Sequence, residues 1–294
     1  MTKAGDALRE LVQQLEADTA LEGPSKFRER AAALERLDVH QLEGCVACAD
    51  GGPSESAIYQ RAQAVYARLE AGNLRFCETI REEIRRGGRA GVLPSWAGID
   101  GASEAAPGEG YDYLDELARG VLQLAKPVGA ARPLAAEMVA YQPTPARHIF
   151  DLIRRAKLTE RDVLVDLGAG MGHVSLLAGI CTRALCIGIE GEGAYVRAAR
   201  WSASELNLSK VSFLEQDVRQ ADLSCGTVFY LYTPFRGRML REVLDLLRRE
   251  GGRRAIRVCT FGPCTAEIAR EDWLEPIDSV KAGRVAVFKN GMAS

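Results

Sequence analysis

Histidine, aromatic side chains and an excess of either charge are what this sequence has little of. Three histidines occur in 294 residues, aromatic residues make up 6%, and 38 basic residues stand against 40 acidic ones for a net charge of −2. Such a balance gives no global field to gather nucleic acid or an anionic membrane surface, so neither is favoured as a partner. No apolar run approaches the length of a membrane span. The first twenty residues carry Lys3, Asp6, Arg9, Glu10, Glu16 and Asp18, which argues against a secretory segment and makes the cytoplasm the expected location. Eight cysteines are present, yet no second CxxC or HxxxH pair answers Cys45 and Cys48. The cysteines are therefore expected to be reduced, small apolar side chains, and no metal is expected.

What is present is concentrated in one stretch, Val163 to Glu190. Val163, Leu164, Val165 and Leu167 make the apolar run of a strand buried on both faces. Gly168, Gly170 and Gly172 then open the backbone where the chain turns into a helix beginning near His173. Glycines without a Cβ let a ligand press against the peptide groups, and the free N–H groups of the helix start favour an anionic group. A second apolar strand, Leu185 to Ile189, ends in Glu190, at the distance from the loop where a carboxylate reaches ribose hydroxyls. A dinucleotide fingerprint, GxGxxG, would need glycine at position 173, where this chain has His173.

Helical spacing of Leu8, Leu11, Val12 and Leu15, and helix-forming composition from Phe27 to Val39, predict short N-terminal helices. A longer helix is expected from Glu55 toward Arg86, with Ile58, Ala62, Val65 and Leu69 inward, Ser54 or Ser56 as cap, and a break at Gly72-Asn73. The basic run Arg81 to Arg89 reads as a solvated helix end. Residues 87–110 read as a long loop, lid-like and anchored by Trp96 and Ile99. Another helix spans Tyr111 to Leu124, and Pro127 and Pro133 close this part. Thr144 can cap, and Pro145 can start, a helix through Ile149, Ile153 and Ala156. Beyond Glu190 come a helix at 194–206, strands at 211–214 and 227–232, a helix at 238–249 and a strand at 255–260. Ile277 to Val280 and Val285 to Phe288 flank a tight connection suited to an antiparallel hairpin. The fold class is α/β: a doubly wound, mostly parallel seven-stranded sheet over residues 141–294, behind an N-terminal helical cap domain over residues 1–140.

The spelling Val165-Asp-Leu-Gly-Ala-Gly-Met-Gly172 resembles motif I of class I S-adenosylmethionine (SAM)-dependent methyltransferases. That resemblance implies SAM as cofactor, with Asp166, Gly168, Gly170 and His173 at its methionine end and Glu190 on the ribose. Asp217 resembles the family's acceptor of the adenine amino group, and Val218 would offer its N–H to the ring. Tyr141-Gln-Pro-Thr-Pro145 resembles the YxPTP element of seven-stranded lysine methyltransferases, the Dot1-like and ATP-synthase-subunit enzymes, which would lay Tyr141 and Thr144 over the methionine end. Strand four ends in Tyr232-Thr-Pro-Phe235. Enzymes of the family acting on nucleobases or glutamine often carry D/N-P-P-Y/F there, so the group that grips a planar amino nitrogen is missing from this position. Tyr232 and Tyr141 are the candidate catalytic residues, with His148 and His173 as the available bases for an alcohol or phenol. The expected activity is methyl transfer to a nitrogen, less readily an oxygen, of a small molecule enclosed by the cap. Alternatives are a protein lysine as methyl acceptor and a SAM-binding module without catalysis.

Overall fold

The computed structural model describes residues 3–47, 53–87, 107–124, 137–139 and 141–291. Cys48, Trp96, Ile99, Pro127 and Pro133 lie outside the described residues, as does the centre of the expected 87–110 loop. The chain divides into two compact units, residues 1–80 and 81–294. The helix Tyr113–Leu122, grouped with the N-terminal part on sequence grounds, therefore sits in the same unit as the sheet.

The first unit is built from α1 (Lys3–Ala17), α2 (Phe27–Ala47) and most of α3 (Pro53–Arg85). Leu8, Leu11, Val12 and Leu15 pack with Leu37, Ile58, Ala62, Val65 and Leu69 in one apolar cluster, as their spacing predicts. The expected break at Gly72-Asn73 does not occur, because both residues serve a partner. Arg30 Nε donates to Asn73 Oδ1 at 2.7 Å, and a Cβ on Gly72 would stand 3.1 Å from the Arg30 side chain. Close approach here offsets the roughly 1 kcal/mol that glycine costs a helix.

In the second unit the last turn of α3 is not simply solvated. Arg81 is 1% exposed and donates to Val121 O, and Arg85 donates to Glu205 O, so only part of the basic run faces water. Next come α4 (Tyr113–Leu122) and α5 (Ala146–Ala156), then β1 (Val163–Leu167), α6 (His173–Cys181), β2 (Leu185–Glu190), α7 (Gly193–Glu205), β3 (Val211–Glu215) and β4 (Val228–Tyr232). The chain ends with α8 (Gly237–Gly251), β5 (Arg257–Phe261), the short α9 (Cys264–Ile268), β6 (Leu274–Pro276) and β7 (Ala286–Asn290). The sheet order is β3-β2-β1-β4-β5-β7-β6. All neighbours are parallel except β7, which runs against both β5 and β6. This is the mostly parallel seven-stranded sheet implied by the resemblance. Connections leave β1 toward β2 on one side and arrive at β4 on the other, so the crevice beyond the carboxyl ends of β1 and β4 is the topological switch point.

Two local expectations fail for physical reasons. The hairpin uses Leu274–Pro276, not 277–280, as its first strand. Leu274 is buried whereas Ile277 and Val280 are 47% and 42% exposed. Asn290 fixes this register by accepting from Ile256 N and donating to Gly251 O. Thr144 does not cap α5: Asp115 Oδ1 takes the Ala146 N–H at 2.7 Å, and the Thr144 hydroxyl pairs with Tyr230 OH at 3.0 Å.

Candidate functional site

The glycine loop leaves β1 through three left-handed residues, Gly168 (φ 86°), Gly170 (φ 53°) and Gly172 (φ 83°). Their missing side chains make room for neighbouring side chains of the protein. A Cβ on Gly168 would lie 2.5 Å from Pro234, and one on Gly170 would lie 2.1 Å from the Tyr141 ring. Gly168 and Ala169 donate to Ile189 O, tying the loop to the end of β2. Glu190 completes the latch: Oε2 accepts from Gly170 N and Oε1 from Glu192 N, each at 2.8 Å. A carboxylate has about four lone-pair positions, so two remain for a ligand's hydroxyls.

Tyr141 lies along this loop. Its hydroxyl is 3.0 Å from His173 Nδ1, and its ring centroid is 5.0 Å from that of Tyr195. Burial pushes the His173 pKa down to about 4, so at neutral pH the ring is uncharged and shares its Nδ1 hydrogen bond with the phenol as a neutral imidazole. The same burial pushes the Tyr141 phenol up, which keeps it a donor. Asp166 is 4% exposed at the end of β1. Burial, and secondarily the nearby Glu190 charge, push its pKa up to about 8, so a cationic ligand group would find there an acid ready to ionise.

The second cluster stands at the end of β4. Tyr232 is half-buried against Phe261, with ring centroids 4.9 Å apart, and donates its hydroxyl to Glu109 Oε2 at 3.3 Å. Its phenol too is pushed up by burial and then by the Glu109 charge. Thr233 follows at φ 42° and accepts from Cys264 N, which binds the turn after β4 to the one after β5. Glu109 is held from behind. His148, 0% exposed, donates Nε2–H to Gly108 O at 2.7 Å while its ring packs on Phe261 at 4.1 Å. Burial pushes the His148 pKa down, so it acts as a neutral strut and is not oriented as a base. Arg147 donates to Gly108 O and Gly110 O.

The structure thus joins Tyr141, Gly170, His173 and Glu190 through direct contacts, and joins Tyr232 to Glu109. Thr144 faces Tyr230. Asp217 is committed to Arg219, at 2.6 Å and through the Arg219 N–H, and Arg219 holds its carboxyl below the usual range. Val218 is buried in the sheet's apolar core at the same turn. Glu109, Tyr195 and Asp115 were not recognised from sequence. Glu109 sits in an acidic, glycine-rich loop whose composition is visible, but nothing in its spacing marks one acid above another.

No protein-family model and no curated protein matches the chain. Solved structures do resemble it. An RNA methyltransferase from Salinibacter ruber, in complex with S-adenosyl-L-homocysteine, is 26% identical over 50% of this chain and 92% of its own, with a TM-score of 0.42. A precorrin-6y C5,15-methyltransferase from Geobacter metallireducens is 16% identical over 55% and 94%, with a TM-score of 0.39. The B. subtilis M1A22 tRNA methyltransferase is 13% identical over 49% and 66%, also with a TM-score of 0.39.

Proposed function

We propose that this protein is a SAM-dependent methyltransferase whose acceptor is an amine nitrogen. The carrying observation is the Glu109–Tyr232 pair at the end of β4, where the following turn packs Pro234 against Gly168 of the glycine loop. The residues fit the cofactor. Glu190 keeps acceptor positions for a vicinal diol, and Asp166, pushed up to about 8, suits an ammonium group that would ionise it. When bound, SAM supplies a methyl carbon on a sulfonium, open to in-line displacement. The chain's part is alignment and exclusion of water. A neutral amine becomes cationic as it accepts a methyl group, so a carboxylate beside it stabilises the charge that develops. Glu109 supplies that carboxylate in space where the sequence after β4 supplies none. Tyr232 donates to Glu109 and fixes its orientation.

The acceptor is first a small molecule, enclosed by the N-terminal helices acting as a cap. A second reading, a protein lysine, is supported by the resemblance around Tyr141 to Pro145 and by the exposure of Glu109 and Tyr111. Release of S-adenosylhomocysteine from SAM distinguishes these, with small-molecule, desalted-protein and RNA fractions of a cell extract as separate acceptor arms. Glu109→Gln should lower turnover at least 10-fold at unchanged SAM affinity. Binding of SAM without turnover in any arm would leave a cofactor-binding module and overturn the enzyme reading.

A further inference from the structure

Away from the sheet, the first unit contains a cavity of about 310 Å³ with Arg30, Arg68 and Arg75 on its walls and Leu21 and Leu69 as apolar floor. Arg30 is 2% exposed. Its Nε donates to Asn73, and its Nη1 donates to the carbonyls of Leu21 and Gly23. Its Nη2 is buried with no partner among the described residues, and so is Arg68 Nε. Arg68 otherwise donates to Leu15 O at 2.7 Å and stands 3.6 Å from Glu22 Oε1. Arg75 is exposed at the same cavity, one heptad beyond Arg68 on α3. Burial pushes the Arg30 pKa down, and the Arg75 charge pushes it further. Gly72, on the helix turn between them, leaves the space the Arg30 guanidinium uses.

Among the residues that line the cavity, three guanidiniums stand against the one carboxylate of Glu22, a charge of about +2 on its walls, with Glu29 and Glu16 acting on Arg30 and Arg68 from outside it. An unpaired buried guanidinium nitrogen is a costly thing to keep, and an anion removes the cost. We infer that this cavity of the N-terminal helical unit is a binding site for the phosphate group of a small phosphate monoester. A monoester carries about −1.5 to −2 charges at pH 7, which balances the cluster where a monocarboxylate would not. Its oxygens suit the planar fork of arginine. The cavity exceeds a bare phosphate and sits at the low end for small-ligand sites, and its leucine floor can take a short organic remainder. The inference does not depend on methyl transfer.

The test is calorimetry and thermal shift on the full chain at low ionic strength, with S-adenosylhomocysteine at saturating concentration so that the sheet's crevice is engaged throughout. The probes are glycerol phosphate, inorganic phosphate and acetate. Glycerol phosphate should bind at submillimolar concentration, raise the melting temperature, and bind at least 10-fold more tightly than acetate. Binding should weaken toward pH 5, where the monoester takes up its second proton. If inorganic phosphate binds as tightly as the ester, the phosphate site stands and its source is the free ion. Arg30→Lys disturbs the turn at Leu21 and Gly23 and can unfold the unit, so the deciding variant is Arg75→Gln, whose side chain is exposed. It should keep or, by relieving repulsion on Arg30, raise the melting temperature of the ligand-free protein, and weaken glycerol phosphate binding 10-fold or more. Equal affinity for acetate, an unaffected Arg75→Gln variant, or no heat at 10 mM glycerol phosphate would each overturn the inference.

Discussion

Glu190 holds the glycine loop and is proposed to meet the ribose of SAM, so its removal should have two effects. Glu190→Ala leaves the N–H groups of Gly170 and Glu192 without their charged acceptor, and such bonds are worth about 1.5–3 kcal/mol each. SAM affinity should fall about 30-fold. The melting temperature should fall as well, by several degrees, and calorimetry with a thermal melt reads both. Unchanged affinity would remove Glu190 from the ribose. Asp166 makes the opposite kind of prediction. Its folded pKa, about 8, lies above the ordinary 3.8. The native state therefore binds more protons in that window, and its stability falls as pH rises from about 4 to 8. Asp166→Asn should flatten that slope, making the ligand-free protein more stable than wild type at pH 9 while weakening cofactor binding. A variant less stable than wild type at pH 9 would refute the account.

Among the elements, α4 and α5 share one carboxylate. Asp115 accepts from Asp112 N in the box that caps α4, and from Ala146 N at the start of α5. Asp115→Ala should therefore cost about two helix caps, roughly 2 kcal/mol, and lower the melting temperature by about 4–8 °C. Asp115→Asn, which keeps one acceptor oxygen, should lose about half as much. These contacts also mark where sequence reading stops. The run Val163–Leu167 and the three glycines were legible because a buried strand and a left-handed turn are written in adjacent residues. Capping by Thr144 was a fair local inference, but its hydroxyl found Tyr230, 86 residues on. Glu109 meets Tyr232 across 123 residues, and no local pattern carries that information. Pro276 and Leu274 displaced the expected hairpin strand because burial of one leucine outweighed the β-branched composition of 277–280.

At the scale of the whole molecule, the two compact units differ in which candidate residues they carry. Every candidate cofactor residue, from Tyr141 to Val218, lies in the unit 81–294. A fragment of those residues should bind S-adenosylhomocysteine within about 3-fold of the full chain and lose methyl transfer if the N-terminal helices enclose the acceptor, about 0.65 kcal/mol being the most expected for binding. Full turnover by the fragment would remove the cap from the mechanism. The apolar stripe of the N-terminal helices was legible as periodicity. The arginine-lined cavity among them was not, because Arg30 and Arg75 come from different helices and only folding brings them near each other.

The ring of Tyr141 on Gly170 has a meaning in time. A ligand that needs the glycine's surface waits for the ring to swing away, so entry has a step that concentration cannot hasten. In stopped-flow mixing, the observed rate should climb with SAM concentration and then level off at the frequency of that swing. Tyr141→Ala should abolish the plateau and leave a straight line.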